Sequence, residues 1–118
     1  MKDNNLIKSK SYSFAIRIVK FYQFLKEDKR EFILSKQVLR SGTSIGAMIE
    51  EATQAESKAD FIHKLSVANK EANETRYWIK LLRDTGFITT KEAESLIIDC
   101  EELIKLLVSI IKSTKAAK

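Results

Sequence analysis

One histidine, His63, and one cysteine, Cys100, bound the chemistry open to this sequence. A di-iron site in a helical bundle takes a Glu-x-x-His motif from each of two helices and a glutamate from each of the other two. Asp60-x-x-His63 has the spacing of one such motif, but no second histidine completes it. No metal centre is therefore expected, and His63 reads as a surface residue near a helix cap. Cys100 falls between Leu96 and Leu103 at helical spacing. A reactive thiol needs a nearby cation or helix N-terminus and access to solvent; an apolar mid-helix position supplies neither, so Cys100 reads as a buried structural thiol.

The carboxylates lead to the same place. Glu50-Glu51 and Glu101-Glu102 are consecutive, so on a helix each pair diverges by about 100° and cannot converge on one substrate. Glu71 and Glu74 do share a helix flank. Such a pair can share a proton for acid–base work, or it can meet a cation from a neighbouring helix. Arg40 is the candidate partner, and with no nucleophile or metal set nearby the structural pairing is favoured. Gly42-Thr43-Ser44-Ile45-Gly46 superficially resembles a phosphate loop but lacks the Gly-Lys-Ser/Thr ending. No catalysis, cofactor or small-molecule substrate is expected.

The elements that would position these residues follow from composition. The 118 residues include no proline and three glycines, with 44% apolar and 31% charged residues. A β-rich fold of this size needs many turns, and turns want those two residue types; long amphipathic helices do not. Ile7, Ser11, Phe14, Ile18, Phe21 and Leu25, all apolar but Ser11, recur at steps of three and four. Leu34, Val38, Ser41, Ile45, Met48, Ile49 and Ala52 continue the pattern after the polar cluster Glu27–Glu31. Phe61, Leu65, Ala68, Ala72, Thr75, Ile79 and Leu82 form a third seam, and Leu96, Cys100, Leu103, Leu107 and Ile110 a fourth. Ser57 with Asp60, and Thr89 with Glu92, read as capping boxes opening the last two helices, and Gly86 as the left-handed residue that ends the third. The expectation is an all-α, single-domain, up-and-down antiparallel four-helix bundle, with helices at about 7–26, 34–54, 58–85 and 90–114.

Two details refine it. Gly42 and Gly46 lie one turn apart inside the second helix, where each costs about 1 kcal/mol against alanine. With Ala47 they would admit a neighbouring backbone; a softened kink is the other reading. On the third helix Val67, Tyr77, Trp78 and Leu81 point away from the seam. This second strip, with the Gly42/Gly46 surface, is read as a subunit contact around Trp78; the alternative is a Trp78 at the core's edge with isolated exposed neighbours.

The net charge of +5 is unevenly spread. Residues 1–49 carry ten lysines and arginines against four acids, whereas residues 50–118 carry eleven against twelve. A second basic cluster, Lys105, Lys112, Lys115 and Lys118, closes the chain. The excess suits either a phosphate-binding face or a solvated surface. Arg17, Lys20, Lys36 and Arg40 are the candidate nucleic-acid contacts, for RNA or DNA and without base reading. The lysine-rich start lacks the apolar region of a signal peptide. The most apolar stretch, Leu103–Ile111, is interrupted by Lys105 and Ser109, so no membrane span is expected. A lone cysteine suits the reducing cytoplasm.

The string Leu34-Ser35-Lys36-Gln37-Val38-Leu39-Arg40-Ser41-Gly42-Thr43-Ser44-Ile45-Gly46-Ala47 closely resembles the signature of the four-helix-bundle proteins encoded in intervening sequences of bacterial 23S ribosomal RNA genes. The similarity continues through Ser57–Phe61, Leu65, Lys70–Thr75, Tyr77-Trp78-Ile79, Gly86-Phe87-Ile88 and Glu101-Glu102-Leu103. Met48 and Ala52 depart from it, standing where asparagine and glycine are common. The resemblance implies an up-and-down bundle assembled as a ring-shaped homopentamer. It also implies a distant likeness to the pentameric accessory protein of diversity-generating retroelements, which binds nucleic acid and a reverse transcriptase. Two functions follow as expectations: a non-catalytic oligomeric module holding nucleic-acid phosphates, or a scaffold whose ring presents repeated faces to a protein.

Overall fold

The four apolar stripes become four α-helices in the computed structural model, which describes residues 2–117: α1 (Lys2–Glu27), α2 (Leu34–Ala52), α3 (Lys58–Asp84) and α4 (Thr90–Ala116). Met1 and Lys118 lie outside the described residues. Each helix packs against the next in the chain and α4 returns to α1, giving an antiparallel bundle with extents of 50 × 21 × 19 Å. α1 begins more than a turn before Ile7, because nothing in the polar segment ahead of it breaks a helix.

The stripes face one another. Ile18, Leu25, Val38, Ile45, Ala72, Ile79, Leu82, Cys100 and Leu107 are fully buried, and of the polar residues only Ser11, Glu31, Ser35, Ser41 and Thr75 are buried with them among the described residues. Met48 packs half-buried against this core and Ala52 lies within it, so both departures from the family pattern serve apolar packing. The few buried hydroxyls are bonded. The Thr75 hydroxyl lies 2.8 Å from the Ser41 hydroxyl and 2.8 Å from the Glu71 carbonyl oxygen, tying α3 to α2. Among the described residues no buried side-chain nitrogen or oxygen lacks a partner.

The connections follow the capping chemistry. The Asp60 amide donates to the Ser57 hydroxyl at 3.0 Å. At α4 the box is reciprocal: the Glu92 amide donates to Thr89 Oγ1 at 3.1 Å, and the Thr89 amide to Glu92 Oε1 at 2.9 Å. These bonds from Thr89 hold the Glu92 carboxyl below the usual carboxylate range. Gly86, at φ +86°, ends α3 in the left-handed region. The α1–α2 connection is less conventional. Arg30 takes the left-handed position at φ 55°, and the Glu31 amide reaches back to the Leu25 carbonyl at 2.9 Å. The buried Glu31 side chain then caps α2, accepting from the amides of Ile33, Leu34 and Ser35 at 3.3, 3.1 and 2.7 Å.

Candidate nucleic-acid interface and the faces of the bundle

Arg17 and Arg40 are turned to opposite neighbours. Arg17 leaves α1 on the side of α4, where its guanidinium donates to Asp99 Oδ2 at 2.5 Å and to the Ser95 hydroxyl at 3.0 Å. Lys10 pairs with Glu102 two turns away on the same seam. The two bridges cross an open cleft of about 260 Å³ between α1 and α4. Arg40 leaves α2 on the side of α3, where it pairs with Glu71 at 3.2 Å and with Glu74. Glu74 also accepts from the Trp78 indole N–H at 3.3 Å. The Glu71–Glu74 flank is thus bound to a cation from the neighbouring helix α2, as its residue types allow. The four basic candidates do not form one patch. Lys20 and Lys36 are exposed and enter no ion pair among the described residues, whereas both arginines hold helix seams.

Sequence-adjacent carboxylates divide their work in the same way. Glu50 reaches Lys8 of α1 at 3.8 Å, while Glu51 reaches Lys64 of α3 at 2.9 Å. Glu101 takes Arg76 of α3 at 3.1 Å, while Glu102 takes Lys10 of α1. The angular divergence that keeps each pair off a common substrate is what lets it serve two helices.

His63 is exposed. Cys100 is fully buried; its thiol donates to the Ala72 carbonyl at 3.1 Å, and burial pushes its pKa up to about 12. No group of three or more His, Cys, Asp or Glu that could hold a metal ion occurs among the described residues. Among the described residues no helix is long and apolar enough to cross a membrane.

The glycines face α1 of the same chain. A Cβ on Gly42 would stand 2.7 Å from Ile18 Cγ1, and one on Gly46 would stand 3.5 Å from the Ser11 carbonyl oxygen. Gly42 is therefore buried inside the subunit, and its role is the close approach of α1 to α2 rather than a surface contact. Gly46 remains half-exposed in a shallow groove with Tyr12, Ala15, Thr43 and Ala47. On α3, Trp78 is half-buried against the core's edge, and the exposed Tyr77 meets it edge-on at 5.2 Å between ring centroids. Leu81, one turn on, is half-buried, as is Val67 nearly three turns before Tyr77.

Sequence reasoning missed the α1–α2 turn. Lys26, Lys29 and Arg30 sit over the rings of Tyr22, Phe24 and Phe32, at 5.2, 5.6 and 5.6 Å from the centroids, and Phe32 and Ile33 are exposed. It also missed Tyr12, Ile16 and Val19, which leave a second apolar strip on the outer side of α1. Their spacing of four and three would have disclosed it.

The chain is an up-and-down four-helix bundle whose helices are joined by seven ion pairs among the described residues. The sequence model of the 23S rRNA-intervening sequence protein family matches residues 3–109, and the chain belongs to that family. It is similar to a crystal structure of a protein of unknown function from the S23 ribosomal protein family of Bacteroides thetaiotaomicron. The two share 57% identity and a TM-score of 0.92, over 93% of this chain and 98% of that one. No curated protein matches the chain.

Proposed function

We propose that the chain is a non-catalytic, homo-oligomeric bundle that holds RNA or DNA phosphates through exposed cations near the α1–α2 end. The observation that carries this reading is the contrast among the basic side chains. Arg17 and Arg40 are neutralised within the fold, while Lys20, Lys36 and the turn residues Lys29 and Arg30 are exposed with no ion pair among the described residues. Cations left without a carboxylate attract a polyanion through counterion release, without reading bases. The family resemblance supports a ring of five copies as the assembled form, and the single buried thiol suits a reducing cytoplasm.

Fluorescence-anisotropy titration of a labelled structured RNA across salt concentrations tests the reading. Binding that weakens with salt, and that weakens further in Lys20→Ala/Lys36→Ala, is expected. No binding at low salt, or binding indifferent to salt, rejects it. The exposed Tyr77 beside Trp78 favours a second reading, a scaffold presenting repeated faces to a protein partner. Partners that stay bound after nuclease treatment would favour it over the first.

A further inference from the structure

We infer that Phe32, in the α1–α2 turn, is a stacking platform for an unpaired base of single-stranded nucleic acid, with Arg30 and Lys29 on the adjoining phosphates; this rests on the phosphate-binding reading above. Phe32 and Ile33 are 46% and 74% exposed at the end of the bundle, although the turn around them is pinned. The Glu31 amide donates to the Leu25 carbonyl, and the Glu31 carboxylate accepts from the Ile33, Leu34 and Ser35 amides. The Ser35 hydroxyl in turn donates to the Glu31 carbonyl at 2.8 Å. Phe32 thus stands between two fixed residues, on a backbone that needs no ordering when a ligand arrives.

The rings at this end are interleaved with cations. Lys26 lies over Tyr22, Lys29 over Phe24 and Arg30 over Phe32, so three cation–π pairs fall within residues 22–32. Such pairs occur about once per 70–80 residues, and three together make this turn a distinct aromatic and basic cluster. Arg30 reaches its ring from a left-handed backbone, at φ 55°, which glycine or asparagine adopts more readily. Its guanidinium stands 5.6 Å from the Phe32 centroid, while nearly half of Phe32 stays open to solvent. A base laid on the open part of the ring keeps its phosphate within reach of that cation.

The charges around the turn leave it positive. Glu31 is buried and turned onto backbone amides, so it opposes no phosphate. Glu27 and Asp28 are exposed and do oppose one, against Lys26, Lys29, Arg30 and Lys36. From the α3–α4 side Glu92 faces Lys29 but is held in the Thr89 capping box, and Asp84 is paired with Arg83. A positive patch alone would take duplex and single strand alike through their phosphates. The exposed ring separates them, because a base inside a duplex is covered on both faces and only an unpaired one can stack. A bilayer is a poorer occupant: two apolar side chains bury far less than the acyl chain that itself gives only marginal membrane binding.

Fluorescence-anisotropy titration of the full chain with an unstructured single-stranded RNA, and with a long RNA duplex that offers few ends, tests the assignment. Phe32→Ala should weaken single-strand binding by roughly five-fold or more and leave duplex binding unchanged. Phe32→Leu, apolar but without a ring face, should lose as much as Phe32→Ala. Phe32→Trp should restore the affinity, and its added indole emission should fall with the single strand and not with the duplex. Arg30→Gly suits the left-handed backbone and should keep the fold while weakening both ligands, as the loss of a phosphate contact does. If Phe32→Ala affects both ligands equally or neither, or if Phe32→Leu binds as the unmodified chain does, stacking is wrong while the phosphate reading stands. If the unmodified chain binds neither RNA at low salt, both fall. Binding to phosphatidylserine vesicles that Phe32→Ala abolishes, with RNA binding unmoved, would assign the turn to a membrane and overturn the inference. Circular dichroism checks that each variant stays helical.

Discussion

Ile18 occupies the space that a side chain at Gly42 would need: three of its carbons lie within 3.0 Å of where the Cβ would be. Ile18 is fully buried and β-branched, so it has little freedom to move aside. Gly46, one turn on, meets only ordinary van der Waals contact. The same substitution should therefore act with opposite signs. Gly42→Ala forces an overpacked core costing about 1–3 kcal/mol, which outweighs a helix-propensity gain of about 1 kcal/mol. Gly46→Ala keeps the propensity gain and should stabilise by roughly 0.5–1 kcal/mol. Urea denaturation of the two variants, compared by midpoint, reads both.

The α2 N-terminus offers a second test. Ile33 stands at the N-cap with no side-chain bond, and the buried Glu31 carboxylate accepts three backbone amides in its place. Glu31→Ala should cost about 1–3 kcal/mol, since it strips several donors at once in a partly buried turn. Glu31→Asp, one methylene shorter, should recover only part of that. Equal denaturation midpoints for the unmodified chain and Glu31→Ala would show the amides satisfied by water instead.

These two sites differ in how legible they are. The four seams, the Thr89–Glu92 box and Gly86 are local patterns of spacing and residue type, and each reads directly from the chain. The Gly42/Gly46 spacing signals a close approach, but that the partner is α1 of the same chain depends on tertiary packing. Glu31 sits in a cluster of charges that looks like solvated loop, and nothing local separates the buried carboxylate from its exposed neighbours. Arg30 is no Asn or Gly, so its left-handed turn carries no sequence signal. The pairing of Arg17 with Asp99 spans 82 residues. Charge counting therefore lists Arg17 as available to a phosphate, although the fold has already used it.

Cys100 gives a pH-dependent prediction. Burial first and foremost pushes its pKa up from the ordinary thiol value of 9.0 to about 12. The folded state thus keeps its proton where the unfolded thiol has lost it. The stability this contributes is fully present below about pH 9 and is lost progressively as pH rises toward 12. Cys100→Ala should show a shallower loss of stability over that window than the unmodified chain, and the difference isolates the contribution of the thiol. In the native protein at pH 8 a thiol-reactive dye should label Cys100 only as fast as the fold opens. Rapid stoichiometric labelling would contradict the burial.

Arg40 separates structural pairing from phosphate binding. Glu71 and Glu74 both hold it, and Glu71 is the more buried of the two, at 14% side-chain exposure against 30%. If the outer face of α2 meets a polyanion, two carboxylates beside Arg40 oppose that contact. Glu71→Gln/Glu74→Gln keeps side-chain size and hydrogen-bonding capacity while removing both negative charges. It should tighten RNA binding and steepen the dependence of log K on log salt by about 0.7–0.9 for each phosphate newly engaged. The loss in stability should stay near 1 kcal/mol, because the pairs are partly solvated. Arg40→Ala in the unmodified background should weaken RNA binding little, because Arg40 is neutralised there, yet it should cancel most of the gain in the double variant. That coupling distinguishes a guanidinium released to bind phosphate from a general change in net charge. If the double variant gains equally with and without Arg40, the charge change alone is responsible and Arg40 serves only the α2–α3 seam.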